Sequence, residues 1–104
     1  MDVLCFKLPS GMDVIGRVTQ NEGESFARVS RPMTINAFPS PNGIAVSLVP
    51  FLMFSRTDPL QQEVELRPEH YILSYVPKED LVQAYLEQTS GLSLVQTGVN
   101  AIKP

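Results

Sequence analysis

The sequence predicts a mainly β protein, a small and strongly bent barrel of five antiparallel strands followed by a C-terminal helix. Three observations carry this prediction. Apolar and polar residues alternate through much of residues 2–76, the period of a strand with one buried face. Turn residues punctuate that alternation at Pro9-Ser10-Gly11, Asn21-Glu22-Gly23-Glu24, Pro39-Ser40-Pro41-Asn42-Gly43 and Arg67-Pro68-Glu69. Helical spacing is clear only after Pro77.

Taken in order, Leu4, Phe6 and Leu8 lie on one face of a first strand, and Met12, Val14 and Val18 on one face of a second, with Gly11 in the turn between them. A short loop around Asn21-Glu22-Gly23-Glu24 leads into the third strand and pairs positions whose numbers sum to 45. That register sets Gly16 opposite Val29 and Arg17 opposite Arg28. Val14, Val18, Ala27 and Val29 then form the core face, with Ile15, Arg17, Thr19, Phe26, Arg28 and Ser30 on the other. Gly16 falls on the buried side, where a missing side chain lets a strand curl tightly, as the corner of a small barrel requires. Arg31-Pro32 interrupts the third strand, because proline has no N–H for the ladder, and this predicts a bulge or an edge. Ile44 to Phe54 reads as a long apolar fourth strand broken by Ser47 and Pro50, inside a stretch with no charge between Arg31 and Arg56. A strand of that kind is an aggregation hazard with a free edge, so it is expected to pair with another subunit. Glu63 to Leu66 and His70 to Val76 follow around the Arg67-Pro68-Glu69 turn. A helix over about 78–90 has proline before it, Glu79 and Asp80 in its first turn, Leu81, Val82, Tyr85 and Leu86 as its apolar stripe, and Gly91 past its end. It is expected to cross one barrel opening. Residues 91–104 form a tail or an extra strand.

At 104 residues, with 43% hydrophobic and 18% charged residues, the chain fits one globular domain whose surface is poor in charge. The net charge of −3 means that nucleic acid would have to bind at a local cluster among Arg17, Arg28, Arg31, Arg56 and Arg67. The single cysteine, Cys5, excludes an intrachain disulfide and reads as a small buried thiol in a reducing cytoplasm. No apolar run reaches the roughly 18 residues of a membrane span, and no signal-peptide pattern opens the chain.

Enzymatic chemistry has little to stand on. The one histidine, His70, sits beside a turn without a nucleophile nearby in sequence, no His/Cys cluster has metal-ligand spacing, and the six glycines form no phosphate-binding loop. The expectation is therefore a protein without catalytic residues, metal or cofactor. Binding residues are easier to find. Arg17 and Arg28, paired across two strands, would repel unless a carboxylate such as Glu22, Glu24 or Asp13, or a ligand anion, relieved them. Phe26 and Phe38 could stack bases, although a phenylalanine on such a strand is more often core or interface. Tyr71 and Tyr75 share a strand face with Leu73 and read first as packing.

The strand order, the glycine in the second strand of Leu8-Pro9-Ser10-Gly11-Met12-Asp13-Val14-Ile15-Gly16-Arg17-Val18, and the closing hairpin that begins Leu66-Arg67 resemble the Sm-like superfamily of RNA-associated ring proteins. The chain looks most like short Sm-like proteins of marine phages and ocean samples, over about residues 3–76. The resemblance implies an Sm-like (SH3-like) barrel in a homo-oligomeric ring of about five to eight subunits, in which the fourth strand of one subunit pairs with the fifth of the next. It also implies a pore whose loops bind single-stranded RNA or DNA, a role in nucleic-acid processing, and a place in the cytoplasm, that of the host if the protein is phage-encoded.

The expected nucleic-acid contacts are Asn21, Arg67, His70 and Tyr71, with Arg17 and Arg28 from the strands. The expected subunit seam comprises Ile44, Val46, Leu48, Phe51, Ile72 and Ser74, and Gly11 and Gly16 are architectural. Three features depart from the family pattern. Glu22 and Glu24 occupy the first loop, Pro68 stands where the family has glycine after its arginine, and an N-terminal helix is missing. The alternative is a non-enzymatic ring that binds protein, as a scaffold in phage assembly, through its apolar fourth strand and helix.

Overall fold

The chain opens as a strand and turns back at Gly11, whose φ of +92° is readily taken by glycine alone. In this computed structural model, which describes residues 2–90, β1 (Asp2–Lys7) pairs antiparallel with β2 (Asp13–Thr19), from Asp2 opposite Val18 to Lys7 opposite Asp13. The predicted hairpin and its Gly11 turn are both present. β3 (Ala27–Ser40) and β4 (Gly43–Pro50) make a second, longer hairpin closed at Ser40 and Gly43. β5 (Glu63–Leu66), β6 (Leu73–Tyr75) and α1 (Glu79–Gln88) complete the fold, with single 3-10 turns at Pro59–Gln61 and Pro68–His70.

The sheet order is β4-β3-β2-β1-β6, and β5 lies off this path against β3. β3 is therefore shared. Its first residues, Ala27 to Ser30, pair with β5, while Met33 to Ser40 pair with β4. Between the two halves the β2–β3 register shifts, so that Gly16 stands against Arg31 and Pro32, which have no ladder partners on β2. This is the bulge expected at Arg31-Pro32, and Arg31 reaches it with a φ of +52°. A Cβ on Gly16 would overlap Val29 Cγ1 and lie 3.1 Å from the Ser30 carbonyl oxygen. The two backbones cross where only glycine fits.

The pairing itself differs from the sequence prediction. Arg17 lies opposite Ser30, Val18 opposite Val29 and Thr19 opposite Arg28, a sum of 47 instead of 45. The cause is the connection, which spans residues 20–26 and is longer than a two- or four-residue turn. A shift of two residues keeps every side chain on its predicted face. It nevertheless separates Arg17 from Arg28, so the expected repulsion between paired arginines does not exist.

Both faces of the sheet are buried. Phe6, Ala27, Val29 and Leu66 pack with Leu4, Val18, Val64 and Tyr71 on the inside of the curl, while Cys5, Ile15, Met33 and Leu48 pack under Tyr85 and Leu81 of α1. The helix thus covers a sheet face instead of crossing an opening, which explains why Ile15, placed outside by alternation, is fully buried. Tyr85 also fixes the bulge: its hydroxyl lies 3.0 and 2.9 Å from the carbonyl oxygens of Ser30 and Arg31, which share its one proton. Arg31 reciprocates by donating from Nη1 to Thr89 O at the end of the helix and from Nε to Leu60 O. The Gln88 amide donates to Leu48 O at 2.7 Å.

Three further expectations are corrected. The fourth strand ends at Pro50, and Phe51 to Phe54 form a turn that begins an excursion to Gln62. Most of the segment from His70 to Val76 is not strand, since a 3-10 turn takes His70 and pairing with β1 covers Leu73–Tyr75 alone. Among the described residues the sheet has a path of five strands with β5 beside it, and it is not closed by hydrogen bonds, since β4 and β6 each have a single neighbour there. The two open ends approach across an apolar groove of about 500 Å3 between Ile44 and Val46 of β4, Tyr75 and Val76, and Leu81 of α1. The predicted tail and its Gly91 lie outside the described residues.

Candidate nucleic-acid interface

Beyond the reach of α1, the outer face of β2, β3 and β5 is polar and open. Register fixes its rows: Arg17, Ser30 and Glu63 cross the three strands in one row, and Thr19, Arg28 and Glu65 in the next. The following pair, Ala27 and Leu66, points inward, and its flanking residues Phe26 and Arg67 meet outside. The guanidinium carbons of Arg28 and Arg67 lie 5.1 and 5.3 Å from the centre of the Phe26 ring, close enough for cation–π attraction.

Acidic partners hold this cluster in place. Glu24 Oε1 accepts from Arg28 Nη1 at 2.8 Å and from the Asn21 backbone N–H at 3.2 Å, and Glu65 lies 3.8 Å from Arg67. Partly exposed pairs of this kind contribute little stability, about 0–1 kcal/mol each. Their larger effect is electrostatic, since two carboxylates offset two guanidiniums. His70 positions Arg67 through its backbone: Nδ1 accepts from the Arg67 N–H at 3.1 Å, while the His70 N–H donates to Arg67 O at 2.8 Å.

Of the six residues expected to contact nucleic acid, Arg28 and Arg67 meet on Phe26, while Asn21 and His70 are tied to that pair through backbone hydrogen bonds, the Asn21 N–H donating to Glu24 and the Arg67 N–H to His70. Arg17 shares their face one row away and makes no ion pair among the described residues. Tyr71 is elsewhere, its ring edge-on to Phe6 at 4.9 Å and 67° as part of the inner core. The centre of the cluster, Phe26, was not among the six. Its signal was its place two residues before Arg28 on one strand face, and only the β3–β5 register could add Arg67.

The expected seam residues are also divided. Ile44 and Ile72 are 55% and 64% exposed, Ser74 is exposed, and Val46 and Phe51 are half-buried. Leu48 is fully buried beneath α1, so its side chain is core and only its backbone borders the edge of β4. Phe38 lies toward the end of the β3–β4 hairpin, away from Phe26.

A separate cluster ties β6 to the sheet. Tyr75 donates to Asp13 Oδ1 at 2.9 Å, and Lys7 pairs with Asp13 Oδ2 at 2.9 Å. Burial, followed by the bond to Asp13, raises the Tyr75 hydroxyl well above its ordinary range. Burial also pushes the Cys5 thiol up to about 11. Among the described residues no group of three or more His, Cys, Asp or Glu could hold a metal ion, and no helix is long and apolar enough to cross a membrane. The chain matches no protein-family model and no curated protein sequence.

Proposed function

We propose that this protein is the subunit of an Sm-like homo-oligomeric ring that binds single-stranded RNA or DNA across Phe26, Arg28 and Arg67. The observation that carries the reading is convergence: the β2–β3 and β5–β6 connections, which the Sm-like resemblance makes the binding loops, meet on the Phe26 ring. A flat aromatic between two guanidiniums offers a base a stacking surface and offers its phosphates two charges. The exposed Asn21 amide can reach a base edge, and His70 holds the Arg67 turn. Assembly rests on the two open edges. A β4-to-β6 contact joins different surfaces of two copies, and such heterologous contacts propagate into a ring when the rotation closes. Ile44, Val46, Ile72 and Ser74 would lie along that seam.

The decisive measurement is fluorescence anisotropy of labelled oligo-U, oligo-A and single-stranded DNA at low and moderate salt. Binding at low salt that weakens as salt rises, falls roughly tenfold in Phe26→Ala and is lost in Arg67→Glu is the expected result. No binding at low salt, or binding indifferent to Arg67→Glu, overturns the reading. One observation favours the protein-binding alternative: Leu52, Met53 and Phe54 project from the excursion after β4, Phe54 with 97% of its surface exposed.

A further inference from the structure

The excursion after β4 carries an apolar tip on a backbone that the fold ties down. Leu52, Met53 and Phe54 are 39%, 53% and 97% exposed. Beneath them the Phe51 N–H donates to Pro32 O at 3.0 Å, and the Ser55 N–H donates to Leu52 O at 3.1 Å. Gln62, only 5% exposed, commits its amide nitrogen to the same loop, donating to Leu52 O at 3.2 Å and to Thr57 O at 2.9 Å. A buried side chain thus orders an exposed apolar tip, and a loop ordered in advance loses little entropy when it docks.

The groove between the open ends of the sheet is its counterpart. About 500 Å3 in volume, it is walled by Ile44, Val46, Tyr75, Val76 and Leu81, with Ile44 and Val76 55% and 80% exposed. The excursion supplies none of its walls, so Phe54 does not fill the groove of its own chain. Ile44 and Val46 alternate along β4 onto the face that α1 covers at Leu48, so a side chain enters from that face and leaves the hydrogen-bonding edge of β4 free. Charge matches too. Lys78 and Asp80 stand at the groove, and Arg56 and Asp58 follow the tip at the same two-residue spacing. All four are exposed, and none is in an ion pair among the described residues.

We infer that the groove is the docking site for a second copy of this chain, whose Phe54 enters between Ile44, Val76 and Leu81 while its Arg56 and Asp58 meet Asp80 and Lys78. This rests on the homo-oligomer reading above and adds to the β4-to-β6 seam an apolar contact made by a different element. Tip and groove are different surfaces, so the contact is heterologous and propagates from copy to copy. The chain has a net charge of −3 and a single arginine beside the tip, which suits a groove bearing both signs of charge better than an anionic bilayer.

The test uses the full chain with Phe54→Lys, which spoils the tip, and Val76→Asp, which spoils the groove; both positions are exposed, so urea midpoints should stay at the unaltered value. By sedimentation equilibrium each variant alone is expected to need about ten- to a hundredfold more protein to associate, the effect of losing one buried phenylalanine ring. An equimolar mixture should recover association as pairs, because the sound tip of one variant meets the sound groove of the other. Association of either variant at the unaltered concentration, or a mixture that recovers nothing, overturns the docking. The two readings separate through Ile72→Asp. Assembly lost in Ile72→Asp and kept in Phe54→Lys leaves the edge seam and removes the docking, whereas the reverse keeps the docking and removes the seam. A chain that stays monomeric overturns it as well, and co-sedimentation with phosphatidylcholine vesicles that is lost in Phe54→Lys would then make a lipid surface the occupant of the tip.

Discussion

At the scale of single residues, the bulge concentrates the strongest constraints. Gly16→Val drives a branched side chain into Val29 Cγ1, and overpacking of this kind costs about 1–3 kcal/mol, measurable by urea denaturation. Gly16→Ala with Val29→Ala should recover only part of the loss suffered by Gly16→Ala, because the Ser30 carbonyl remains 3.1 Å from the new Cβ. Arg31 has the opposite economy: its left-handed backbone is unfavourable, yet its guanidinium ties the helix end to the Leu60 carbonyl. Arg31→Ala should therefore be less stable than Arg31→Gly by about 1 kcal/mol, since both lose the guanidinium and only glycine relaxes the backbone. Alkali should act through Cys5, whose thiol rises from 9.0 to about 11 on burial, and through Tyr85, which burial raises from 10.0 to about 12. An acid whose folded pKa is raised resists ionising in the fold, so stability is full below the unfolded value and falls as pH climbs past it. Urea midpoints should drop from about pH 9 upward, and Cys5→Ala should flatten the decline between pH 9 and 11.

At the scale of elements, α1 is held by more than its apolar stripe. Tyr85→Phe keeps the ring beside Ile15 and Met33 but removes the one proton shared by the Ser30 and Arg31 carbonyls, at an expected cost of about 1–2 kcal/mol by chemical denaturation. The helix, the β1–β2 hairpin and the bulge were legible in the sequence because each has a local signature: a proline and acids ahead of an apolar stripe, Gly11 in a turn, Arg31-Pro32 inside a strand. Register was not legible between β2 and β3. The residues from Gln20 to Phe26 contain turn formers at several positions, and nothing local says which of them close the loop. The second half of the chain was harder for the same reason, since β5 and β6 are short and take their place from β3 and β1 and not from their own periodicity. The candidate site shows both limits. Arg28 and Arg67 could be picked out one by one, but their meeting on Phe26 depends on long-range pairing, and the core role of Tyr71 depends on Phe6.

At the scale of the whole molecule, the open edges make a directional prediction. If the proposed ring is right, Ile44→Asp spoils the β4 edge and Ile72→Asp the β6 side, so each variant alone should be monomeric by light scattering where the unaltered chain is expected to form rings. An equimolar mixture joins the one sound edge of each variant and should stop at dimers. Rings from the mixture, or from either variant alone, would show that the seam lies elsewhere. Charge around Phe26 gives a second whole-molecule expectation, because Glu24 and Glu65 offset the arginines. Glu24→Gln should tighten oligonucleotide binding several-fold and steepen its salt dependence, as anisotropy across a salt series would report. The excursion between β4 and β5 joins two strands that pair with the same neighbour, since both of its ends are anchored on β3. The exposed segment from Leu52 to Arg56 is thus a position where residues can be exchanged or a short peptide inserted without re-threading the sheet, and loop-closure entropy penalises added length only weakly. Variation confined to this protrusion would give one scaffold different exposed surfaces, and it offers the experimenter a site for a label or an affinity handle.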